Sequence, residues 1–276
     1  MKQASLRYIY IAIILLLSSC GGSNPGAAAI VKIKGSDTML MINRALAREF
    51  MKERPNIAVY AEGGGTKSGI ESLIKGNADI GAASRSIRAD ETKALAENYN
   101  AVGISFLIAK DALSIYLNPD NPVIGLTLEQ LKDIYTGKIK NWKDVGGTNA
   151  PIKLLSRPPN SGTYLYFKEH VLEGEEYSGE IAIMPTTEDI VKETLRDKNA
   201  IGYGGIGYGT QLRHCKVNGI SPTEENVRND KYPIIRYLYY YTPNTPKNAV
   251  KEFIDWSLGP KGQAVIKAEG YIAIWK

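Results

Sequence analysis

The chain has 276 residues, of which 43% are hydrophobic, and its formal net charge is +5. Removal of Lys2 and Arg7 with the N-terminal signal described below would leave +3, too weak and too dispersed for a nucleic-acid-binding protein. Roughly 250 mature residues make one large or two medium domains. The two cysteines, Cys20 and Cys215, are not expected to form a disulfide. Cys215 is instead expected to be a small buried hydrophobic residue.

Residues 1–20 have the features of a lipoprotein export signal. Lys2 and Arg7 precede an apolar run from Tyr8 to Leu17, which is too short to span a bilayer. The following "LSSC" resembles a bacterial lipobox, so we expect cleavage before Cys20 and lipidation of its thiol. The alternative is an uncleaved signal anchor with an incidental cysteine. Residues 21–29, "GGSNPGAAA", are expected to form a flexible tether above a membrane.

Strands and helices alternate in the pattern that follows. "AIVKIKG" predicts a strand, and an apolar series at helical spacing predicts a helix that ends before Pro55. "NIAVYAEGGG" and Asp79–Ala82 predict two further strands, separated by a helix with apolar residues at 70, 73 and 74. This alternation indicates a parallel sheet. The first helical series consists of Met39, Ile42, Leu46 and Phe50.

The stretch from Gly103 to Asn118 reads as one long apolar strand, too long for a single lobe, that could pass from one domain to another. Helices are predicted at Leu128–Tyr135, around Glu173–Glu180 and at Thr187–Asn199. "AIGYGGIGYG" then predicts a glycine-rich extended stretch with the character of a hinge strand. The C-terminal part predicts one strand, "IIRYLYYYTP", and two helices.

The segment "RPPNSGT", residues 157–163, allows three interpretations. A serine nucleophile at Ser161 would need a base, but His170 lies nine residues along the same predicted helix, on the order of 13 Å away. The G-x-S-x-G elbow is also absent, which argues against a serine hydrolase. An anion cradle needs no base, because hydroxyls, free amides at a helix start and the helix dipole act together. The third interpretation is a plain N-cap by Asn160 or Ser161.

The cradle interpretation assigns a role to each side chain of this segment. Ser161 and Thr163 offer hydroxyls, and Gly162 lets an anion approach the backbone. Arg157 could fold over the same point with a bidentate guanidinium. Two other helix starts carry similar hydroxyls, and a carboxylate and an arginine occur near a strand end. These candidates are Ser36 and Thr38 in "GSDTM", Thr66 and Ser68 in "GGGTKSG", and Asp79, Ser84 and Arg85 in "NADIGAASR".

These motifs resemble the phosphate-binding proteins of bacterial phosphate ABC transporters, the PstS-type family. The resemblance runs from about Val31 to Tyr208 and includes "LTLEQLKDIYTGKIKNWKDVGG", "RPPNSGT" and "AIGYG". The family usually has Ser or Thr where Asp37 stands, so Ser36 is an alternative ligand, and Arg85 is a possible one. The ligand shell that the resemblance implies is Asp37, Thr38, Thr66, Ser68, Asp79 as acceptor, Arg157, Ser161, Gly162 and Thr163.

The remaining motifs favour structural roles. "GYGGIG" matches a dinucleotide-binding pattern, but no amphipathic helix follows it. His214 and Cys215 would point apart on a strand, which argues against a catalytic dyad. The tyrosines between Tyr237 and Tyr241 are expected to form a sheet core with a wet edge rather than a binding surface. Tyr135 and Trp142 are expected to lie in a core.

The resemblance implies an α/β fold of the two-lobed periplasmic-binding-protein type (type II), with a double crossover hinge and a ligand cleft. Lobe one is expected at residues 30–108 plus 207–276, and lobe two at 109–206. The implied function is an extracytoplasmic lipoprotein that binds inorganic phosphate in the interlobe cleft and delivers it to an ABC transporter. It is expected to be a receptor rather than an enzyme, without a cofactor, because two lone histidines cannot assemble a catalytic metal cluster. Its expected partners are inorganic phosphate and an ABC permease, and it is expected to be monomeric. A sensing or adhesive lipoprotein on the same fold, and a phosphatase, remain alternatives.

Overall fold

The computed structural model describes residues 29–275. The predicted signal, Cys20 and nearly all of the predicted tether lie outside the described residues. Among the helices that are described, none has the combination of length and apolar character that a bilayer crossing requires.

The first part of the described chain forms a parallel β-α arrangement. Strand β1 (Ala29–Gly35) leads through a short 3-10 turn (Asp37–Met39) into helix α1 (Leu40–Glu53). The next elements are β2 (Ile57–Glu62), α2 (Thr66–Ile74), β3 (Ile80–Ala83) and α3 (Ala89–Tyr99). Both β2 and β3 pair with β1 in parallel, as the alternating pattern predicts.

Strand β4 (Ile104–Leu117) connects the two halves of the molecule. Its first part, as far as Ala112, pairs with a C-terminal strand, β10 (Ile235–Thr242). Its second part, from Leu113, pairs with β8 (Ala200–Gly205) and β9 (Arg213–Val217). The predicted long strand is therefore confirmed, and it belongs to both halves.

The middle of the chain builds the second half around β4. It comprises β5 (Gly125–Leu126), α4 (Leu128–Thr136), a 3-10 turn (Trp142–Val145), β6 (Lys153–Ser156), α5 (Gly162–His170), β7 (Ala182–Ile183), α6 (Thr187–Arg196), β8, β9 and α7 (Glu224–Arg228). Strand β8 pairs with β6, and β6 with β7, both in parallel. The prediction of a helix around Glu173–Glu180 is wrong, because residues 175–178 have no regular secondary structure and lie between two turns.

The C-terminal part returns to the first half. Strand β10 inserts between β3 and β4, antiparallel to both, and is followed by α8 (Asn248–Leu258), α9 (Pro260–Ala268) and β11 (Ile272–Ala273). Helices α8 and α9 pack beside α1, and β11 pairs with β4. The predicted strand and two helices are confirmed.

Two large hydrophobic cores define two lobes. The first core contains Ile33, Leu46 and Phe253, and we call the elements around it lobe one. The second core contains Ile134 and Phe167, and the elements around it form lobe two. Met39, Ile42, Leu46 and Phe50 all lie in the first core, as their spacing predicts.

The point at which the chain returns from lobe two to lobe one differs from the prediction, which placed it between residues 206 and 207. Cys215, Val217, Val227 and Tyr232 pack in the second core, so the chain remains in lobe two until β10. The glycine-rich strand β8 is accordingly an inner strand of lobe two rather than a hinge, and β10 is the second strand that crosses between lobes.

Several residues with expected structural roles behave as the sequence suggests. Cys215 is fully buried, and burial raises the pKa of its thiol to about 12. His214 turns away from it, with its Nδ1 2.7 Å from the Ser114 hydroxyl. Tyr135 and Trp142 are core residues. Among the tyrosines of β10, Tyr240 is buried and Tyr237 is exposed.

Candidate functional site

Polar residues converge where the two lobes meet, at the ends of strands and the starts of helices. In lobe one, β1 ends at Gly35; Ser36 follows it, and Thr38 lies in the 3-10 turn that comes after Ser36. Strand β3, a parallel neighbour of β1, ends just before Ser84. Because parallel neighbours place their carboxyl ends at one edge of the sheet, these residues lie close together. Thr66, which begins α2, completes the set from this lobe.

Lobe two presents the start of α5 to the same place. A Cβ atom built on Gly162 would lie 2.4 Å from the Thr66 hydroxyl oxygen and 2.7 Å from that of Ser84. The Thr163 hydroxyl lies 2.8 Å from the Thr38 hydroxyl. The two lobes therefore touch through hydroxyl groups, and the glycine is required because any side chain would strike the opposite lobe.

The set forms a buried polar cluster that is unusually rich in hydrogen-bond donors. We call it the interlobe cluster. Each of its hydroxyl residues is at most 3% exposed, which is rare for polar side chains without a functional or structural requirement. Its members are Ser36, Asp37, Thr38, Thr66, Ser84, Arg157, Ser161, Gly162 and Thr163.

Arg157 is the buried cation that follows β6, and only 1% of it is exposed. Its Nη2 donates to Asp37 Oδ2 at 2.5 Å across the lobes, and its Nη1 donates to the Thr187 hydroxyl at 3.0 Å. Its Nε has no hydrogen-bond partner among the described residues. A buried guanidinium with an unused donor is costly unless an acceptor is supplied from outside the chain.

Asp37 is held firmly in its position. Its Oδ1 accepts a hydrogen bond from the Gly64 amide at 2.9 Å, and its backbone carbonyl accepts one from the Tyr208 hydroxyl at 2.7 Å. The carboxylate is 7% exposed and faces Arg157 rather than Arg85. Asp37 is thus the acidic member of the interlobe cluster, and it is one of the candidate residues named from the sequence.

The helix starts around the cluster differ in how their amides are satisfied. Ser161 caps α5, since its hydroxyl accepts from the Thr163 amide at 3.2 Å. The N-cap interpretation of Ser161 is therefore confirmed, without excluding a further role for its hydroxyl. Neither the 3-10 turn after Ser36 nor α2 after Gly65 has a side-chain cap. Uncapped helix starts leave amides that can bind an anion.

Three of the predicted site residues are not brought to the centre of the cluster. Asp79 lies at the opposite, N-terminal end of β3, where its Oδ2 accepts from the Lys32 amide at 2.8 Å. Arg85 donates to Glu91 through Nη1 at 2.8 Å and Nη2 at 2.6 Å, while its Nε has no partner among the described residues. Ser68 sits in the first turn of α2 beside Gly64 and is only half-buried.

Two charged residues next to the cluster were not predicted from the sequence. Arg236 of β10 and Asp111 of β4 are fully buried and stand directly opposite each other in the strand pairing. Arg236 Nε donates to Asp111 Oδ2 at 2.9 Å. Burial raises the pKa of Asp111, and the guanidinium opposes that rise. The available signal was a charged residue at a buried position of an apolar strand, since Arg236 shares a face with Leu238 and Tyr240.

The cluster lies between two openings of the interlobe cleft. One is a cavity of about 880 Å³ lined by Arg85, Tyr166, His170 and Arg236. The other, of about 500 Å³, is lined by Asp37, Arg44, Thr187 and Tyr208. Within residues 29–275, no three His, Cys, Asp or Glu side chains are grouped so as to hold a metal ion.

Comparison with known proteins identifies the class. The model of the PBP superfamily domain matches residues 22–261, so the chain belongs to the PBP superfamily. Its fold is the two-lobed type II fold of periplasmic binding proteins.

Within that superfamily, the chain belongs to the family of phosphate-binding PstS proteins. The phosphate-binding protein PstS of Staphylococcus epidermidis is 32% identical over 94% of this chain and 85% of its own length. PstS of Pseudomonas aeruginosa is 30% identical over 90% of this chain and 84% of its own length. A candidate phosphate ABC transporter substrate-binding protein from Clostridium perfringens, solved with bound phosphate, is 33% identical with a TM-score of 0.84 and covers 89% of this chain and 100% of its own.

Proposed function

We propose that this protein is a phosphate receptor: it binds inorganic phosphate at the interlobe cluster and delivers it to the permease of an ABC transporter. The observation that carries the proposal is the buried Arg157, whose Nε lacks a partner among the described residues, at a point where hydroxyls from both lobes converge. An arginine fork beside hydroxyls and helix starts is suited to a tetrahedral oxyanion. The similarity to phosphate-binding proteins supports phosphate as that anion.

The proposed ligand set uses donors from both lobes. From lobe one, Ser36, Thr38 and Thr66 would donate hydroxyl protons, together with amides of the uncapped helix starts. From lobe two, Arg157 would donate through Nε, and the start of α5 would contribute its dipole and hydroxyls. The lobe-two residues at that helix start are Ser161, Gly162 and Thr163. A ligand bound by both walls would favour the closed hinge.

Asp37 is the residue that we propose for selecting phosphate over sulfate. Phosphate at neutral pH carries at least one proton and sulfate carries none, so a buried carboxylate can accept a hydrogen bond only from phosphate. Asp37 lies in the interlobe cluster, whereas Asp79, the acceptor expected from the sequence, lies at the other end of β3. A carboxylate that faces only sulfate oxygens strongly disfavours that ligand.

The receptor is proposed to act on the extracytoplasmic side, attached to a membrane by a lipid on Cys20, as a monomer and without catalysing a reaction. The features that support this are the lipobox-like "LSSC" and the tether-like segment after it. Among the described residues, no three His, Cys, Asp or Glu side chains are grouped so as to hold a metal ion, which favours binding over metal-assisted hydrolysis.

The direct test is a calorimetric titration of a protein that begins at Ile30, which lacks the predicted lipid site. Phosphate should bind with one site per chain, and sulfate should give little or no heat at the same concentration. A protein that takes up no phosphate, or binds sulfate equally well, would contradict the proposed function. Turnover of p-nitrophenyl phosphate by the same sample would instead support a phosphatase.

A further inference from the structure

The ion pair of Arg236 and Asp111 occupies the place where the chain crosses between lobes. Asp111 is in β4, one position before Ala112, the last residue there that pairs with β10, and Arg236 is opposite it in β10. Arg236 contacts Asp111 Oδ2 through Nε at 2.9 Å and Nη2 at 2.8 Å. Asp111 Oδ1 accepts from the Ile206 amide at 2.9 Å. Both hinge strands therefore hold this guanidinium in one orientation.

The Arg236 guanidinium also contacts two residues of the interlobe cluster. Its Nη1 donates to the Thr163 hydroxyl at 2.7 Å, and its Nη2 donates to the Thr38 hydroxyl at 3.2 Å. Thr38 belongs to lobe one and Thr163 to lobe two. Because the hinge strands belong to neither lobe alone, Arg236 can contact both hydroxyls at once only when the lobes are close together.

The chemistry of the hydroxyl group makes this contact directional. A threonine hydroxyl has one proton and two lone pairs, while a guanidinium has donors only. Each hydroxyl must therefore turn a lone pair toward Arg236, which leaves its proton to point elsewhere. In the structure, one of these two hydroxyls donates a hydrogen bond to the other, since the Thr38 and Thr163 oxygens are 2.8 Å apart. An acceptor anion in the cluster would accept a hydrogen bond from each of the two hydroxyls.

The charge balance argues against simple attraction of the ligand by Arg236. Asp111 is in contact with it and is as deeply buried, so the pair adds little net charge to the cleft. Arg157 differs, because its Nε has no partner among the residues described. The two buried arginines therefore have separate tasks.

We propose that Arg236 is a positioning residue for phosphate binding, which orients the Thr38 and Thr163 hydroxyl protons toward the ligand and does so only in the closed form. This inference rests on the proposed function. Its distinguishing consequence is that Arg236 acts through the threonines, so that its contribution to phosphate affinity disappears when the threonine hydroxyls are absent.

The test is a double-mutant cycle measured by phosphate calorimetry. Arg236→Lys retains the charge opposite Asp111 but cannot fork to both threonines, and we expect it to weaken phosphate binding about tenfold. In a background that carries Thr38→Val and Thr163→Val, the same change should have little further effect. Lys110→Ala is the matched control, since Lys110 adjoins Asp111 on the same strand but pairs with exposed Asp230, and it should bind like wild type.

The outcomes separate the two claims. Wild-type protein that does not bind phosphate overturns both. Wild-type binding with an unchanged Arg236→Lys variant overturns the inference alone. Equal losses from Arg236→Lys in both backgrounds also overturn it, because Arg236 would then act independently of the threonines. If Arg236→Lys does not fold, the paired variant Asp111→Asn with Arg236→Gln, which removes both buried charges, replaces it in the same cycle with the same expectations.

Discussion

At the scale of single residues, the proposed function makes Arg157 the side chain on which phosphate binding should depend most directly. Arg157→Ala should weaken phosphate binding by about 1.5 to 3 kcal/mol, because it removes a hydrogen bond to a charged group. Arg157→Lys should recover only part of that loss, since an ammonium cannot replace the fork. Calorimetry measures both changes. Arg54→Ala is the control, because Arg54 pairs with Glu252 on the exposed surface.

Equal phosphate affinity in Arg157→Ala and wild type would show that the cradle is elsewhere. Because Arg157 pairs with Asp37, the stability of each Arg157 variant must also be measured. Removal of Arg157 leaves a buried carboxylate without its cation, so thermal unfolding should be measured on each variant before its affinity is interpreted.

Asp37 should control the choice between phosphate and sulfate. Asp37→Asn places an amide donor where the carboxylate accepts, so we expect sulfate to gain affinity relative to phosphate by at least about tenfold. Asp79→Asn is the matched control, since Asp79 contacts the Lys32 backbone away from the cluster. Competition of sulfate against labelled phosphate measures the ratio. A change of selectivity in Asp79→Asn but not in Asp37→Asn would reverse this assignment.

Most members of the interlobe cluster could be predicted from the sequence, but Asp79, the acceptor that the resemblance implies, lies outside that cluster. Hydroxyls and glycines at helix starts are local signals, and Thr38, Thr66 and Thr163 followed from them. The resemblance implies Asp79 as the acceptor. Asp79 stands before β3, and only the parallel pairing of β3 with β1 shows that the cluster forms at the other end of these strands.

At the scale of elements, the start of α5 is a close contact between the lobes. Gly162→Ala would put a methyl group 2.4 Å from the Thr66 hydroxyl oxygen and 2.7 Å from that of Ser84. Because both atoms belong to the opposite lobe, we expect the lobes to be held apart and phosphate affinity to fall by about 1 to 3 kcal/mol. Calorimetry with thermal unfolding measures this. Gly179→Ala, which meets no atom within 4 Å, is the control.

A Gly162→Ala variant that binds phosphate normally would mean that the lobes need not approach this closely when the ligand is bound. A large fall in the unfolding temperature would point to damage within lobe two instead. The expected pattern is weaker binding with little change in unfolding, because α5 itself tolerates alanine well.

The hinge strands show where local patterns stop being informative. The length of β4 indicates that it crosses from one lobe to the other, because a strand of fourteen residues is longer than one lobe requires. The return crossing was assigned to the glycine-rich strand β8, whereas β10 makes it. Which core receives Val217 or Val227 depends on long-range packing, and their hydrophobicity alone does not distinguish the cores. The Arg236–Asp111 pair was missed for the same reason, since neither residue predicts the other without the strand register.

At the scale of the whole molecule, the predicted lipid should determine where the receptor works. Cys20→Ser should release the protein from the membrane fraction of cells without changing phosphate affinity, because the ligand cluster lies in residues 36–163. Cell fractionation with an antibody to the protein measures this. Cys215→Ser is the matched control and should stay at the membrane. Retention of Cys20→Ser would instead show that the apolar run from Tyr8 to Leu17 is the anchor.

In the proposed function, phosphate joins the two lobes at the interlobe cluster. The measurement that tests it most directly is small-angle X-ray scattering of the protein beginning at Ile30, with phosphate, with sulfate and with neither. We expect phosphate to make the molecule more compact, sulfate at equal concentration to leave it unchanged, and Arg157→Ala to abolish the response at phosphate concentrations that saturate wild type. An identical response to sulfate, or compaction that persists unchanged in Arg157→Ala, would contradict it.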